Sequence, residues 1–177
     1  MRWLFLALSI FFFDVGTRSD ERSPVPAGTL HLVGDSQCAG ATLYASRIDE
    51  TKRWSNVKGT CKGGTRVPYW NEHVKEAQLK PGDSVVIYLG SNDWGKPDPA
   101  PLLAHVKVSG ASCVWVGPPL IRGNDNGVAN HLKRTIEADG TCKFLDSRPL
   151  NIRQEDGVHP GPNEHKRWLR AALSKLL

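Results

Sequence analysis

Apolar residues fall along this chain in two alternating styles. Short continuous runs occur at Thr29 to Gly34 (TLHLVG), Val85 to Gly90 (VVIYLG), Cys113 to Val116 (CVWV) and Lys143 to Leu145 (KFL), with a weaker one at Trp54 to Val57. Such runs, bounded by turn residues, predict strands buried on both faces. Between them lie longer mixed stretches at Ala39 to Arg47, Tyr69 to Leu79, Pro101 to Val108 and Asn126 to Ala138, with another from Asn163 to Leu177, and these predict helices. Strands that alternate with helices imply right-handed crossovers and a parallel sheet covered on both sides. The expected fold class is α/β: a three-layer α/β/α sandwich around a five-stranded parallel sheet in flavodoxin-like order 2-1-3-4-5. In such sheets ligands bind outside the carboxyl ends of the strands, where the strand order reverses. Ser36 follows the first predicted strand and Asn92 the third, so both are expected at that point.

The start of the chain is of another kind. After Arg2, the run from Trp3 to Phe13 is broken only by Ser9 and is shorter than the ~20 residues of a comfortable bilayer span. It reads as the apolar region of a signal peptide over 1–16, with an uncleaved anchor as the alternative, since Asp14 follows closely and no clean small-x-small cleavage site is present. Residues 17–28, polar and carrying Pro24 and Pro26, read as a linker to one domain over 29–177. The expected location is therefore secreted or periplasmic, outside the cytoplasm. Four cysteines in an exported chain, none in a Cys-x-x-Cys pair, favour two disulfides over a zinc site, with three pairings open. No metal and no cofactor are expected.

The net charge of +5 is compatible with an anionic substrate such as an acidic polysaccharide, or with an anionic membrane face. Lysines and arginines are scattered, and no aromatic-basic module or helix-turn-helix pattern points to nucleic acid. The chain is expected to act as a monomer, without a stable membrane span.

Four separated segments carry candidate chemistry: Gly34-Asp35-Ser36, Gly63-Gly64-Thr65, Gly90-Ser91-Asn92-Asp93 and Asp156-Gly157-Val158-His159. A serine hydroxyl needs a base before it attacks a carbonyl, and the oxyanion that forms needs donors already in place. Ser36 sits between a strand and a helix, where hydroxyl and amide both face the crevice, although a plain helix cap is the simpler explanation of Gly-Asp-Ser alone. Asp156 and His159 are spaced so that the carboxylate can hold one ring nitrogen while the other faces Ser36. Asn92 offers a side-chain amide and Gly63 an unobstructed backbone amide to the same oxyanion, each otherwise an ordinary turn residue. His31 is expected in the core and His165 on an exposed helical face. Cys38 stands where the second glycine of a Gly-x-Ser-x-Gly elbow would be, which excludes an ordinary α/β-hydrolase.

In order and spacing the four segments resemble the blocks of the SGNH hydrolases, also called the GDSL esterases and lipases: Gly-Asp-Ser, a glycine block, Gly-x-Asn-Asp and Asp-x-x-His. The resemblance covers most of the chain after Gly28. It implies Ser36 as nucleophile, His159 as base, Asp156 as its partner, and an oxyanion hole from the Ser36 and Gly63 amides and the Asn92 side chain. It also implies an α/β/α fold without a metal. Gln37 departs from the apolar residue that many members carry, and Lys62-Gly63-Gly64-Thr65 leaves Gly63 and Gly64 as alternatives. With that fold, Cys113 and Cys142 begin neighbouring strands while Cys38 and Cys61 lie on the segments of the nucleophile and the first oxyanion donor, so Cys38–Cys61 and Cys113–Cys142 are the expected pairs. Trp94 and the Trp115-Val116-Gly117-Pro118-Pro119 segment would shape an acyl or leaving-group pocket, with core packing the simpler role for Trp115. Members of the family deacylate lipids, acetylated sugars, peptidoglycan and thioesters. A compact exported chain with little room for a lid suits small acyl esters, O-acetyl groups on carbohydrate or polysaccharide above all. The alternatives are a lysophospholipase or general carboxylesterase, acyl transfer to a sugar, or an inactive carbohydrate-binding domain.

Overall fold

The structure is a computed structural model that describes residues 28–177. The signal segment expected over 1–16, and all of the expected linker but Gly28, lie outside the described residues. Strands β1 (Thr29–Gly34), β2 (Asn56–Cys61), β3 (Ser84–Tyr88), β4 (Ser112–Val116) and β5 (Lys143–Leu145) alternate with helices α1 (Ser36–Ala45), α2 (Val67–His73), α3 (Ala100–Ser109), α4 (Val128–Asp139) and α5 (Pro162–Leu176). The strands form one sheet in the order β2-β1-β3-β4-β5, as expected. Every pairing is parallel. The order reverses between β1 and β3, so the loops leaving those two strands flank one crevice.

Alternate residues of each central strand feed two cores. Val33, Val85, Ile87 and Trp115 pack under α2, α3 and α4, while Leu30, Leu32, Val86, Tyr88 and Val114 pack under α1 and α5. Both faces are dry, which is why these strands read as continuous apolar runs rather than as alternation. Trp115 belongs to the core, fully buried, with its indole N–H donating to the Leu89 carbonyl at 3.3 Å.

Three elements depart from expectation. β2 runs from Asn56 to Cys61 instead of Trp54 to Val57: it is the sheet's edge, none of its residues is fully buried, and it carries no apolar run to announce it. α1 begins at Ser36, three residues before the predicted start, because the Asp35 carboxylate accepts from the Gln37 N–H at 2.9 Å and caps the helix. The predicted helix at Tyr69 to Leu79 is two pieces, α2 and a short 3-10 turn over Val74–Ala77.

The four cysteines are paired. Cys38 in the first turn of α1 joins Cys61 at the end of β2, with Cα atoms 5.6 Å apart, and Cys113 at the start of β4 joins Cys142 just before β5, at 4.5 Å. The first bond lies at the carboxyl end of the sheet and the second at its amino end.

Candidate active site

The carboxyl end of β1 is shaped by a glycine that nothing else could replace. Gly34 has φ of +144°, and a Cβ there would stand 2.0 Å from the Tyr88 carbonyl oxygen. The close approach lets the Asp35 N–H donate to that carbonyl at 3.1 Å while the Gly34 carbonyl accepts from the Lys62 N–H at 2.8 Å. β1, β3 and the loop after β2 are thereby tied together beneath Ser36, the first residue of α1. Asp35 fills the capping role, which frees the Ser36 hydroxyl to face outward.

The Asp156 to His159 loop is a compact turn. Gly157, at φ +81°, takes the left-handed conformation the turn requires. One Asp156 oxygen accepts from the Val158 and His159 backbone N–H groups, at 2.8 and 2.6 Å, and the other lies 2.8 Å from Nδ1 of His159. A carboxylate only accepts, so Nδ1 is the ring nitrogen that donates to it, and Nε2 is the one left to face Ser36. That Nε2 is 3.0 Å from the Ser36 hydroxyl. The hydrogen bonds from His159 and Val158 hold the Asp156 carboxyl well below the usual carboxylate range. Both side chains are about half exposed, so the site is open to large molecules.

Gln37, which sequence reasoning noted only as a departure, has a positional role. It is buried, and its amide donates to the Val158 carbonyl at 3.0 Å, joining the first turn of α1 to the turn that carries His159. No pattern in the sequence signals this contact across 121 residues.

Asn92 and Gly63 flank Ser36 from the neighbouring strands. The Asn92 amide nitrogen donates to the Asp35 carboxylate and to the Thr65 carbonyl, each at 3.1 Å. Donation to an oxyanion would therefore be shared with, or replace, the bond to Thr65. A Cβ on Gly63 would lie 3.8 Å from the Ser36 Cβ, whereas a Cβ on Gly64 would meet nothing within 4 Å. Of the two glycines, Gly63 is thus the one beside the serine.

Two buried carboxyls lie beneath the crevice. Burial pushes Asp35 up to about 7, with the Asp93 charge adding to the effect and the Gln37 N–H and His159 opposing it. Asp93 accepts from the Val67 N–H at the start of α2 and is also raised by burial. His165, expected on an exposed face, is instead buried against α1: a Cβ on Gly40 would stand 2.2 Å from its Nε2. Burial lowers it to about 4, so it stays neutral. His31 is in the core as expected, 3.2 Å from Asp83. Among the described residues no cluster of three or more histidine, cysteine, aspartate or glutamate side chains is arranged to hold a metal ion. No helix among them is long and apolar enough to cross a membrane.

No family model and no curated protein matches the chain. Solved structures do. A protein of Slackia heliotrinireducens, provisionally assigned as an SGNH hydrolase, superposes with a TM-score of 0.66 at 17% identity over 85% of this chain and 100% of its own. TesA gives 0.62 at 21% identity over 84% of this chain and 99% of its own. A catalytic mutant of Axe2, an acetylxylan esterase from Geobacillus stearothermophilus, gives 0.62 at 19% identity over 84% of this chain and 94% of its own. The fold of residues 28–177 is that of the SGNH hydrolases.

Proposed function

We propose that this chain is a serine esterase that removes small acyl groups, acetyl above all, from carbohydrate. The observation that carries the reading is the hydrogen-bonded line from Ser36 through His159 to Asp156 at the carboxyl end of β1. The Ser36 oxygen attacks the ester carbonyl carbon as its proton passes to Nε2 of His159, and the carbonyl oxygen becomes an oxyanion facing the Ser36 and Gly63 amides and the Asn92 side chain. Asp156 stabilises the imidazolium. Collapse of the intermediate breaks the bond to the leaving oxygen, which takes the proton from Nε2 and departs as the alcohol, leaving an acyl-serine. Water, losing its proton to His159, then attacks the acyl carbon, and collapse of the second intermediate breaks the bond to the Ser36 oxygen, which takes the proton back from Nε2 as the acid leaves.

The openness of the site favours a large alcohol portion and a small acyl portion, and likeness to an acetylxylan esterase supports carbohydrate as the carrier. Two disulfides are compatible with work outside the cytoplasm. The test is initial rates of the purified chain on chromogenic esters from acetyl to decanoyl, with Ser36→Ala as the blank. Rates highest at acetyl and absent in the variant support the proposal. A maximum at long chains favours a lysophospholipase, and unchanged turnover in Ser36→Ala removes the assignment.

A further inference from the structure

The loops on the β2 and β3 side of Ser36 present two cations that lie against aromatic rings and, among the described residues, pair with no carboxylate. Trp94, two residues beyond Asn92, is 71% exposed. The Arg66 guanidinium lies 4.2 Å from the centre of its ring. Arg66 follows directly on Thr65, whose carbonyl accepts from Asn92, so both side chains belong to the rim of the candidate oxyanion hole. On the same loop, the Lys62 ammonium sits 4.6 Å from the ring centre of Tyr69, which in turn stacks on His73 at 3.9 Å. Among the described residues neither Arg66 nor Lys62 forms an ion pair. Asp93, the carboxyl next to Trp94 in sequence, is buried, accepts from the Val67 N–H and feels the Arg66 charge without forming an ion pair with it.

The exposed tryptophan has one flat face covered by the Arg66 guanidinium and leaves the other open, and the edge of that guanidinium offers paired donors to a carboxylate. From this geometry we infer that Trp94 and Arg66, with Lys62 beside them, form a subsite for a carboxylate-bearing sugar of the polymer whose neighbouring ester group reaches Ser36. A carboxylate pairs with the edge of the Arg66 guanidinium, and the uncovered face of the indole takes a neighbouring sugar ring of the same polymer. The inference rests on the esterase reading only for what happens next at Ser36; binding itself does not require cleavage. A neutral polysaccharide would use the indole alone and leave both cations without a carboxylate, and a phospholipid would use the cations and leave the indole without a ring to stack on.

The test is equilibrium binding of unesterified tetragalacturonate to the whole chain, by calorimetry, beside neutral xylotetraose and lysophosphatidylglycerol. Tetragalacturonate is expected to bind tighter than xylotetraose, to weaken about tenfold in Arg66→Gln and in Trp94→Ala, and to lose affinity with added salt in the wild type but little in Arg66→Gln. Arg66→Lys is expected to recover part of the loss, since it keeps the charge without the planar fork. Both positions are exposed, and a far-ultraviolet spectrum confirms that the variants fold. Equal binding of the two oligosaccharides, binding indifferent to both substitutions, or binding of the lysophospholipid alone overturns the subsite. Since the chromogenic esters test Ser36 without a sugar and this binding test needs no turnover, failure of one reading is separable from failure of the other.

Discussion

Removing the two disulfides separately tests what each one does. In the chain-entropy account the stabilisation grows with the logarithm of the closed loop, and separations of 23 and 29 residues correspond to about 3.4 and 3.6 kcal/mol at 25 °C. Cys38→Ala with Cys61→Ala, and Cys113→Ala with Cys142→Ala, should therefore lower stability almost equally, and in a domain of this size Tm should fall by about 7–14 °C in each. Activity should not follow suit. Cys38 is two residues beyond Ser36, and Cys61 immediately precedes the Lys62 to Thr65 loop, so losing their bond leaves that loop held to β1 chiefly by the Lys62 to Gly34 backbone bond. A displacement of about 1 Å at a reacting centre can cost 100-fold in rate. Acetyl-ester turnover at 25 °C, with the folded fraction of each variant measured by circular dichroism, should fall about tenfold or more in the first variant and stay within about twofold of wild type in the second. Equal activity in two equally destabilised variants would show that the first bond serves the fold alone.

Two other outcomes are expected. Asp35 has a folded pKa of about 7, above the ordinary value of 3.8, so its contribution to stability is full below the lower value and is lost as pH rises through the higher. Denaturant unfolding of the wild type should thus weaken relative to Asp35→Asn between pH 4 and 7.5 and run parallel above that, and a constant difference across this range would refute the assigned cause. Gly64 has φ of +71° and Gly63 does not lie in that region, so Gly64→Ala should lose about 1 kcal/mol in thermal unfolding and Gly63→Ala almost nothing, the reverse order counting against this loop geometry.

The sheet order was legible in the sequence because β1, β3 and β4 are buried on both faces, and only such burial writes uninterrupted apolar runs. β2 was misplaced for the opposite reason, since an exposed edge strand reading Asn-Val-Lys-Gly-Thr-Cys carries no burial signal. His165 shows a signal that was present and missed: with Trp168, Leu169, Ala172 and Leu173 it falls on the buried stripe of α5. A polar ring on that stripe finds room only because Gly40 faces it. The candidate triad was legible as spacings, and the structure brings Ser36, His159 and Asp156 within hydrogen-bonding reach. Gln37 and the paired donation by Asn92 were not legible, as both depend on carbonyls contributed from elsewhere in the chain.

The contact between Ser36 and His159 spans 123 residues. During synthesis the serine is made early, whereas the histidine comes only shortly before α5, the helix that packs against α1. The hydroxyl lacks this partner until both ends of the described chain have come together. Esterase activity, if borne by this pair, would therefore report completion of the fold, and a partly made or partly unfolded chain would be chemically silent.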